Sequence, residues 1–192
     1  MTTTLEIIEI GHPTLREVAR ELSPDEIADT TTQQFFDDLI ATKREANGAG
    51  IAANQVDRAL RVFVVEVAKN PRYPYKPEYP LTVLINPEIV FMSEETFDNY
   101  EGCLSIPNLR GMVPRCPSIA VKGLDRHANP VEFTVKGLSA GTFQHEQDHL
   151  DGILFPDRVK DSRTLCTWNE FANRYQQSFS ESVQKIEARY NS

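Results

Sequence analysis

Residues 144–150 read QHEQDHL and hold two of the four histidines of the chain, His145 and His149. On an α-helix, residues four positions apart lie one turn apart on the same face, so both imidazoles can bind one metal ion. Glu146 lies about 100° further round the helix, where its carboxylate can hold a water molecule without binding the metal. The alternative is a helix that presents polar side chains to solvent. The spacing therefore predicts a helix from about Leu138 to Leu150 with a candidate metal site.

A catalytic metal site of this kind needs a third protein ligand and an open position for water. No histidine follows His149. The carboxylates of the terminal segment are candidates but lie among polar neighbours: Glu170, Glu181 and Glu187. The better candidate is Cys103 in the stretch YEGCLS, where the preceding glycine lets the backbone pack closely. A thiolate with two imidazoles suits Fe(II), Zn or a similar ion rather than Mg or Ca.

The segment GAGIAANQ at 48–55 combines two glycines with small residues, which lets the backbone approach a ligand or another backbone closely. It is not a dinucleotide-binding fingerprint. That pattern would need glycine at position 53, which is alanine, and a strand before it, where we predict a helix.

The remaining pattern predicts an α+β fold with a single domain over residues 1–192. Ser23-Pro24-Asp25-Glu26 is a capping box that opens an N-terminal helix, which should end near Asn47. A long amphipathic C-terminal helix is predicted at 161–189. β-branched and apolar runs predict strands at 61–67, 81–85, 88–92, 111–114, 117–125 and 130–136. This order indicates mixed or antiparallel sheets packed around the central metal-binding helix, rather than alternating βαβ units.

Composition excludes several classes of protein. The formal charge of −8 argues against sequence-independent nucleic-acid binding. No run approaches the roughly 20 apolar residues of a membrane span, and the first residues do not resemble a signal or transit peptide. Three cysteines do not make a disulfide framework, so Cys116 and Cys166 are expected to be structural. We therefore expect a cytoplasmic monomer without a membrane or nucleic-acid partner.

Three segments together resemble one family. GAGIAANQ at 48–55, EGCLS at 101–105 and QHEQDH at 144–149 are similar to the three motifs of bacterial peptide deformylase, in the same order. GHPTLR at 11–16 is similar to the N-terminal G-x-P-x-L-R of that family. The resemblance covers about residues 6–157.

The resemblance implies a metal-dependent amidohydrolase that removes the formyl group from N-terminal formylmethionine of new polypeptides and releases formate. It implies Cys103, His145 and His149 as ligands of one divalent ion, and Glu146 as the general acid and base. It also implies Fe(II) as the native metal, with Ni, Co or Zn as substitutes. The residues alone leave iron and zinc open.

The resemblance also implies how charge is handled around the metal. The Gln55 side chain and the backbone N–H of Leu104 are the expected donors to the oxygen that becomes negative in the transition state. Glu101 and Arg115 are expected to form an internal ion pair that supports the cysteine loop.

Substrate contacts follow from the same resemblance. Gly50 and the segment near Gly102 are expected to pair with an extended substrate main chain. Arg110 is expected near the substrate, with a solvated arginine as the alternative. Leu138, beside the metal helix, is a candidate wall residue of the pocket for methionine.

Two features depart from the family pattern or lie outside it. Asn99 and Gly141 occupy positions where the family usually has larger aliphatic residues, which predicts a roomier or more polar pocket. Residues 70–80 carry proline at every third position, and we interpret them as a stiff surface loop rather than a binding segment.

Two alternative functions remain open from the sequence. An H-E-x-x-H peptidase that cuts internal peptide bonds would need a downstream ligand and would leave Cys103 unused. A non-catalytic binder of N-terminal peptides would be expected to lack Glu146, Gln55 or a metal ligand, yet all are present. Transient ribosome contact is a weaker hypothesis, because residues 157–192 hold six Lys/Arg against five Asp/Glu.

Overall fold

The computed structural model describes residues 2–68 and 73–190. Its strands form two antiparallel sheets. In chain order the strands are β1 (Gly50–Ala52), β2 (Val62–Val67), β3 (Tyr79–Met92), β4 (Phe97–Cys103), β5 (Ile106–Arg115), β6 (Ser118–Leu124) and β7 (Pro130–Lys136). Five of them form one sheet in the order β1-β2-β3-β6-β7, and β4 pairs with β5 in the second sheet. The α+β prediction is therefore confirmed.

The helices surround one that is buried between the sheets. They are α1 (Pro24–Ala28), α2 (Thr30–Glu45), α3 (Gly137–Leu150), α4 (Phe155–Arg158), α5 (Trp168–Arg174) and α6 (Gln176–Tyr190). Short 3₁₀ turns lie at Pro13–Arg16, Ala53–Val56 and Ser162–Thr164. None of the helices in the described residues has both the length and the apolar content to span a bilayer.

Helix α3 forms the centre of the molecule. It begins at Gly137, whose φ of +62° favours glycine, and every residue except His145 is buried. The ring of Phe143 packs edge-on against Phe63 of β2 at 5.6 Å and Phe133 of β7 at 5.9 Å. A helix buried on nearly all sides is held by core packing, which leaves its polar side chains in fixed positions.

The structure differs from the predicted helix pattern at both ends of the chain. The first helix is interrupted at Asp29, which has extended backbone and accepts a hydrogen bond from the Thr31 N–H, so α2 begins anew there. The C-terminal segment is likewise divided into a 3₁₀ turn, α5 and α6, with Thr167 capping α5. Side-chain caps favour a new helix start over continuation, and periodicity alone did not show these breaks.

Two strands that shape the site were not predicted. β1 is three residues long and β4 contains polar residues and glycine, so neither has the apolar alternation that identified the others. The predicted segments 81–85 and 88–92 are parts of the single long strand β3, whose register shifts where Asn86 adopts a φ of +49°. β1 is an edge strand of the larger sheet, and β4 has one partner among the described strands.

Candidate active site

Cys103, His145 and His149 meet at the centre of the molecule. Cys103 ends β4, and the two histidines lie one turn apart on α3. One potential ligand atom from each residue lies within 4.8 Å of the other two, and Cys103 Sγ is 3.2 Å from His149 Nε2. Cys103 and His149 are buried and His145 is half-buried. One sulfur and two imidazole nitrogens this close together form a suitable donor set for a transition metal ion.

A buried charge network positions His145. Glu101 Oε2 lies 2.8 Å from His145 Nδ1, which leaves Nε2 free to face the ligand cluster. Arg115 donates to both oxygens of Glu101, at 2.7 and 3.0 Å, and to Asp148 at 2.7 Å. Burial alone would raise the pKa of Glu101, but the charge of Arg115 and the hydrogen bond with His145 hold that pKa below its usual range. The ion pair expected between Glu101 and Arg115 is confirmed.

Glu146 lies beside this cluster and is shielded from solvent. Its side chain is buried, and Oε2 has no hydrogen-bond partner among the residues that the structure describes. Burial raises the pKa of Glu146 to about 7. Glycine at position 50 leaves room for the Glu146 carboxylate, because a Cβ there would lie 2.7 Å from Glu146 Cδ and overlap the carboxylate. A carboxyl group with this pKa can both accept and donate a proton near neutral pH.

Gln55 is fixed with its amide nitrogen toward the ligands. Its Oε1 accepts the backbone N–H of Ala52 at 2.9 Å, and its Nε2 donates to Ser105 Oγ at 3.1 Å and to Cys103 Sγ at 3.4 Å. The residue is buried within the 3₁₀ turn that follows β1. A cavity opens beside the ligand cluster, and both Gln55 and Leu104, which follows Cys103, line it.

Comparisons with known proteins agree on one family. The family model for polypeptide deformylase matches residues 4–164. Peptide deformylase 2 from Nostoc sp. is 48% identical to this chain, over 87% of the chain and 92% of the relative. The chain belongs to the polypeptide deformylase family. It is therefore a metal-dependent hydrolase that removes the formyl group from N-terminal formylmethionine, and the alternatives of an internal peptidase or a non-catalytic binder are not favoured.

Solved deformylase structures share the fold. The Met-Ala-Ser-bound class I type b peptide deformylase from Acinetobacter baumannii is 41% identical, with a TM-score of 0.80 over 83% of this chain and 100% of the other. Peptide deformylase from Thermotoga maritima is 32% identical, with a TM-score of 0.74 over 83% of this chain and 99% of the other.

The deformylase cavity brings together most of the residues that the sequence predicted to contact substrate. Gly50, Gly102 and Arg110 line it together with the metal-site residues. Leu138 is placed elsewhere. It is buried in a cluster with Tyr100 and Phe171, behind the cavity wall, so a direct contact between Leu138 and substrate stays a prediction that this placement does not support.

Arg110 is not the solvated arginine of the alternative interpretation. It is 1% exposed, and its guanidinium carbon lies 3.9 Å from the ring centre of Phe171 and 4.3 Å from that of Trp168. Nη2 donates to the Tyr75 hydroxyl at 2.8 Å and to the Tyr100 carbonyl. Nε and Nη1 have no partner among the described residues. Two aromatic side chains of helix α5 therefore cover the guanidinium of Arg110. The sequence had not decided between a buried and a solvated arginine.

The sequence missed the part played by the proline-rich loop. Residues 69–72 lie outside the described residues, but Tyr73 is buried and both Tyr73 and Lys76 line the deformylase cavity. Lys76 Nζ donates to Thr142 Oγ1 of α3 at 2.7 Å. The interpretation of 70–80 as a stiff surface loop was therefore wrong for Tyr73 and Lys76, which line the cavity, whereas Pro74 and Glu78 are exposed as predicted. The three tyrosines among the prolines, Tyr73, Tyr75 and Tyr79, were the available signal, because clustered aromatic side chains rarely stay exposed.

Proposed function

We propose that the chain is a single catalytic domain in which Cys103, His145 and His149 bind one divalent ion, with Fe(II) as the native metal. The observation that carries this assignment is the position of Glu146. Its buried, unpartnered carboxylate oxygen lies beside a cluster of one thiol and two imidazoles. When bound there, a divalent ion supplies Lewis-acid chemistry, polarising a carbonyl group and making a water molecule more acidic. Fe(II) and Zn both suit this donor set, and the family resemblance favours iron.

Glu146 is the group that moves the proton. Because its pKa is raised to about 7, the carboxylate accepts a proton from the attacking water near neutral pH. The protonated carboxyl then delivers this proton to the amine that leaves as the C–N bond of the formamide breaks. The products are formate and a free N-terminus.

Gln55 and Leu104 stabilise the negative charge that develops on the formyl oxygen. Gln55 Oε1 accepts a hydrogen bond from the Ala52 N–H, which keeps Nε2 facing the ligands, and the N–H that contacts Cys103 Sγ at 3.4 Å is proposed to turn to the developing oxyanion. The backbone N–H of Leu104 is proposed as the second donor. Loss of the Gln55 donor should raise the barrier by about 3 kcal/mol, the usual effect of removing one such group.

The substrate main chain is proposed to lie between two sheet edges. β1 and β4 contribute Gly50 and Gly102 to the same cavity, and each has a free edge in the described residues. An extended peptide can add to such an edge through backbone hydrogen bonds. This arrangement would present the N-terminal formyl group to the metal ligands in the cavity.

The physiological setting follows from the substrate. A formylated N-terminus is present on new polypeptides, so we propose a monomer that works in the cytoplasm. Contact with the ribosome is proposed to be transient, because the nearly neutral C-terminal segment offers no strong electrostatic attraction to RNA.

The test measures formate release from formyl-Met-Ala-Ser by protein prepared anaerobically with Fe(II), Ni(II) or Zn(II). We expect rapid release with Fe(II) or Ni(II) that a chelator abolishes. Glu146→Gln should bind metal normally and hydrolyse almost nothing, whereas exposed Glu45→Gln should match the native protein.

The ligand assignment has its own control pair. Cys103→Ala should lose metal and activity together, and Cys166→Ala should keep both. Unchanged turnover in Glu146→Gln, or full metal content in Cys103→Ala, would show that the proposed assignment is wrong.

A further inference from the structure

The cavity at the ligand cluster must also receive the first side chain of the substrate. The Cβ of the formylated residue is three covalent bonds from the formyl carbon, so it cannot leave the cavity while the formyl group is at the ligands. The lining of the cavity includes the polar side chains of Lys76, Asn99 and Thr142 beside Cys103 and Glu146, together with Tyr73, Tyr100 and Leu104. The first side chain of the substrate therefore enters a cavity whose lining contains polar groups and one ammonium group as well as apolar surface.

Lys76 is the charged group in this wall. The side chain of Lys76 extends into the cavity from the loop before β3. Its Nζ lies 2.7 Å from Thr142 Oγ1 and 5.2 Å from the ring centre of Tyr73. Thr142 lies one turn before Glu146 on α3, so the ammonium group faces the same side of the helix as the catalytic carboxylate. In the described part of the chain, no carboxylate oxygen lies within 4.0 Å of Lys76 Nζ, and Glu101 and Glu146 attract its charge only from a longer distance, so burial lowers the pKa of Lys76 to about 8.

The other carboxylates around the cavity are already engaged. Glu101 is held by Arg115 and His145, and Glu146 is the proposed proton carrier. A second cation, Arg110, also lines the cavity, is almost fully buried and has two N–H donors without a partner among the described residues. Burying a cation is costly, and the longer-range attraction of Glu101 and Glu146 does not prevent burial from lowering the pKa of Lys76, so an anionic ligand would offset part of that cost.

Asn99 and Gly141 make their part of the cavity wall polar. The Asn99 amide donates to Glu101 Oε1 at 3.1 Å. A Cβ on Gly141 would lie 3.0 Å from Asn99 Nδ2 and 3.4 Å from Phe97 Cζ, so glycine makes room for the amide rather than for substrate. The Asn99 amide thus adds a polar group to a cavity that Lys76 already makes positively charged.

We propose that Lys76 gives this enzyme a further activity, the deformylation of substrates whose first residue carries a carboxylate. Formyl-glutamyl peptides are the representative substrates. A glutamate side chain is unbranched like methionine but ends in oxygens that accept hydrogen bonds from Nζ. The inference rests on the proposed function, because it uses the same ligands and the same Glu146.

A competing role for Lys76 is purely electrostatic. Its charge lowers the pKa of Glu146, so removing it changes the pH dependence of every substrate. That effect cancels when two substrates are compared on the same protein at the same pH. Selection by Lys76, in contrast, changes the ratio between an acidic and an apolar substrate.

The experiment measures kcat/KM for formate release from formyl-Glu-Ala-Ser, formyl-Gln-Ala-Ser and formyl-Met-Ala-Ser with Fe(II)- or Ni(II)-loaded protein. The native protein should process the glutamyl peptide at least tenfold faster than the glutaminyl peptide. Lys76→Met should lower the ratio of glutamyl to methionyl kcat/KM at least tenfold, which is the usual effect of a hydrogen bond to a charged group. Lys76→Arg should keep most of that ratio, and Lys160→Met, an exposed control, should keep all of it.

Binding is measured separately by calorimetry with the product tripeptides Glu-Ala-Ser and Met-Ala-Ser. The substitution Lys76→Met should weaken the binding of Glu-Ala-Ser and leave the binding of Met-Ala-Ser unchanged. A glutamyl-to-methionyl ratio that is the same in the native protein and in Lys76→Met overturns the inference while leaving the deformylase assignment intact. Absent turnover of all three formyl peptides would instead contradict the proposed function and the further activity with it, and the binding ratio would then show only whether Lys76 selects an acidic first residue.

Discussion

Glu101 Oε2 lies 2.8 Å from His145 Nδ1, and this contact joins the two chain segments that build the metal centre. Glu101 is two residues before Cys103 on β4, and His145 is on α3. The same carboxylate is paired with Arg115, which also reaches Asp148 on α3. The strand that carries the sulfur ligand and the helix that carries the nitrogen ligands are therefore joined by one buried network of charged groups.

Glu101→Gln should lower the affinity for metal by about 10- to 100-fold, because the amide holds the tautomer and orientation of His145 less firmly than the carboxylate does. Competition with a chromogenic chelator measures this affinity. The exposed substitution Glu45→Gln serves as the control. An affinity within twofold of the native value would mean that the contact between Glu101 and His145 does not position the ligand.

Gly50→Ala should reduce kcat at least a hundredfold while metal content stays near that of the native protein. The added Cβ would overlap the carboxylate of Glu146, which must then leave its place beside the ligands. Formate release and metal analysis on the same sample separate the two effects. Loss of metal together with activity would show that the substitution disturbs the whole site rather than the proton carrier.

A second charge cluster supports β2 and predicts a pH effect on stability. Glu66 accepts from Arg44 at 2.7 Å and from buried Lys43 at 2.9 Å, and the hydrogen bond from Arg44 holds the pKa of Glu66 at about 2. Because this pKa lies below its usual value of 4.5, the pair stabilises the fold above about pH 5 and loses this effect as the pH falls toward about 2.

Glu66→Gln should therefore lower the free energy of unfolding by about 2 kcal/mol at pH 7, less than for a fully buried pair because Arg44 is exposed. The difference between the two proteins should narrow as the pH falls from 5 to 3. Urea unfolding at several pH values, with both proteins in the same metal state, measures it. A difference that stays constant over this range would contradict the assignment to Glu66.

The last helix stabilises the metal helix through Glu187. Its Oε1 accepts the backbone N–H of Leu138 in the first turn of α3 at 2.6 Å, where the helix dipole favours a negative charge. Glu187→Ala should lower the free energy of unfolding by about 1 kcal/mol. Glu181→Ala, an exposed site on the same helix, makes the same change in side chain without this contact. Equal losses in the two variants would show that only the intrinsic preference of the helix was changed.

The sequence predicted the elements whose pattern is local. Helix α3 was placed within one residue, since the histidine pair defined its face and Gly152 its end. The strands β2, β6 and β7 were also predicted, because their apolar and β-branched residues mark a buried sheet. The break at Asp29 and the division of the C-terminal helix were not, because each depends on one capping side chain within a stretch that otherwise favours a helix.

The sequence alone was enough to predict the chemical groups of the candidate metal centre. They are one cysteine, two histidines a helical turn apart and a glutamate between them, in motifs that the chain shares with its family. Tertiary structure alone decided what surrounds them. It brought Lys76 from a loop to Thr142, buried Arg110 under α5 and placed Leu138 behind the wall. These contacts join residues far apart in the chain. Their partners are therefore selected by packing and by the cost of burying charge, which no local pattern of residues records.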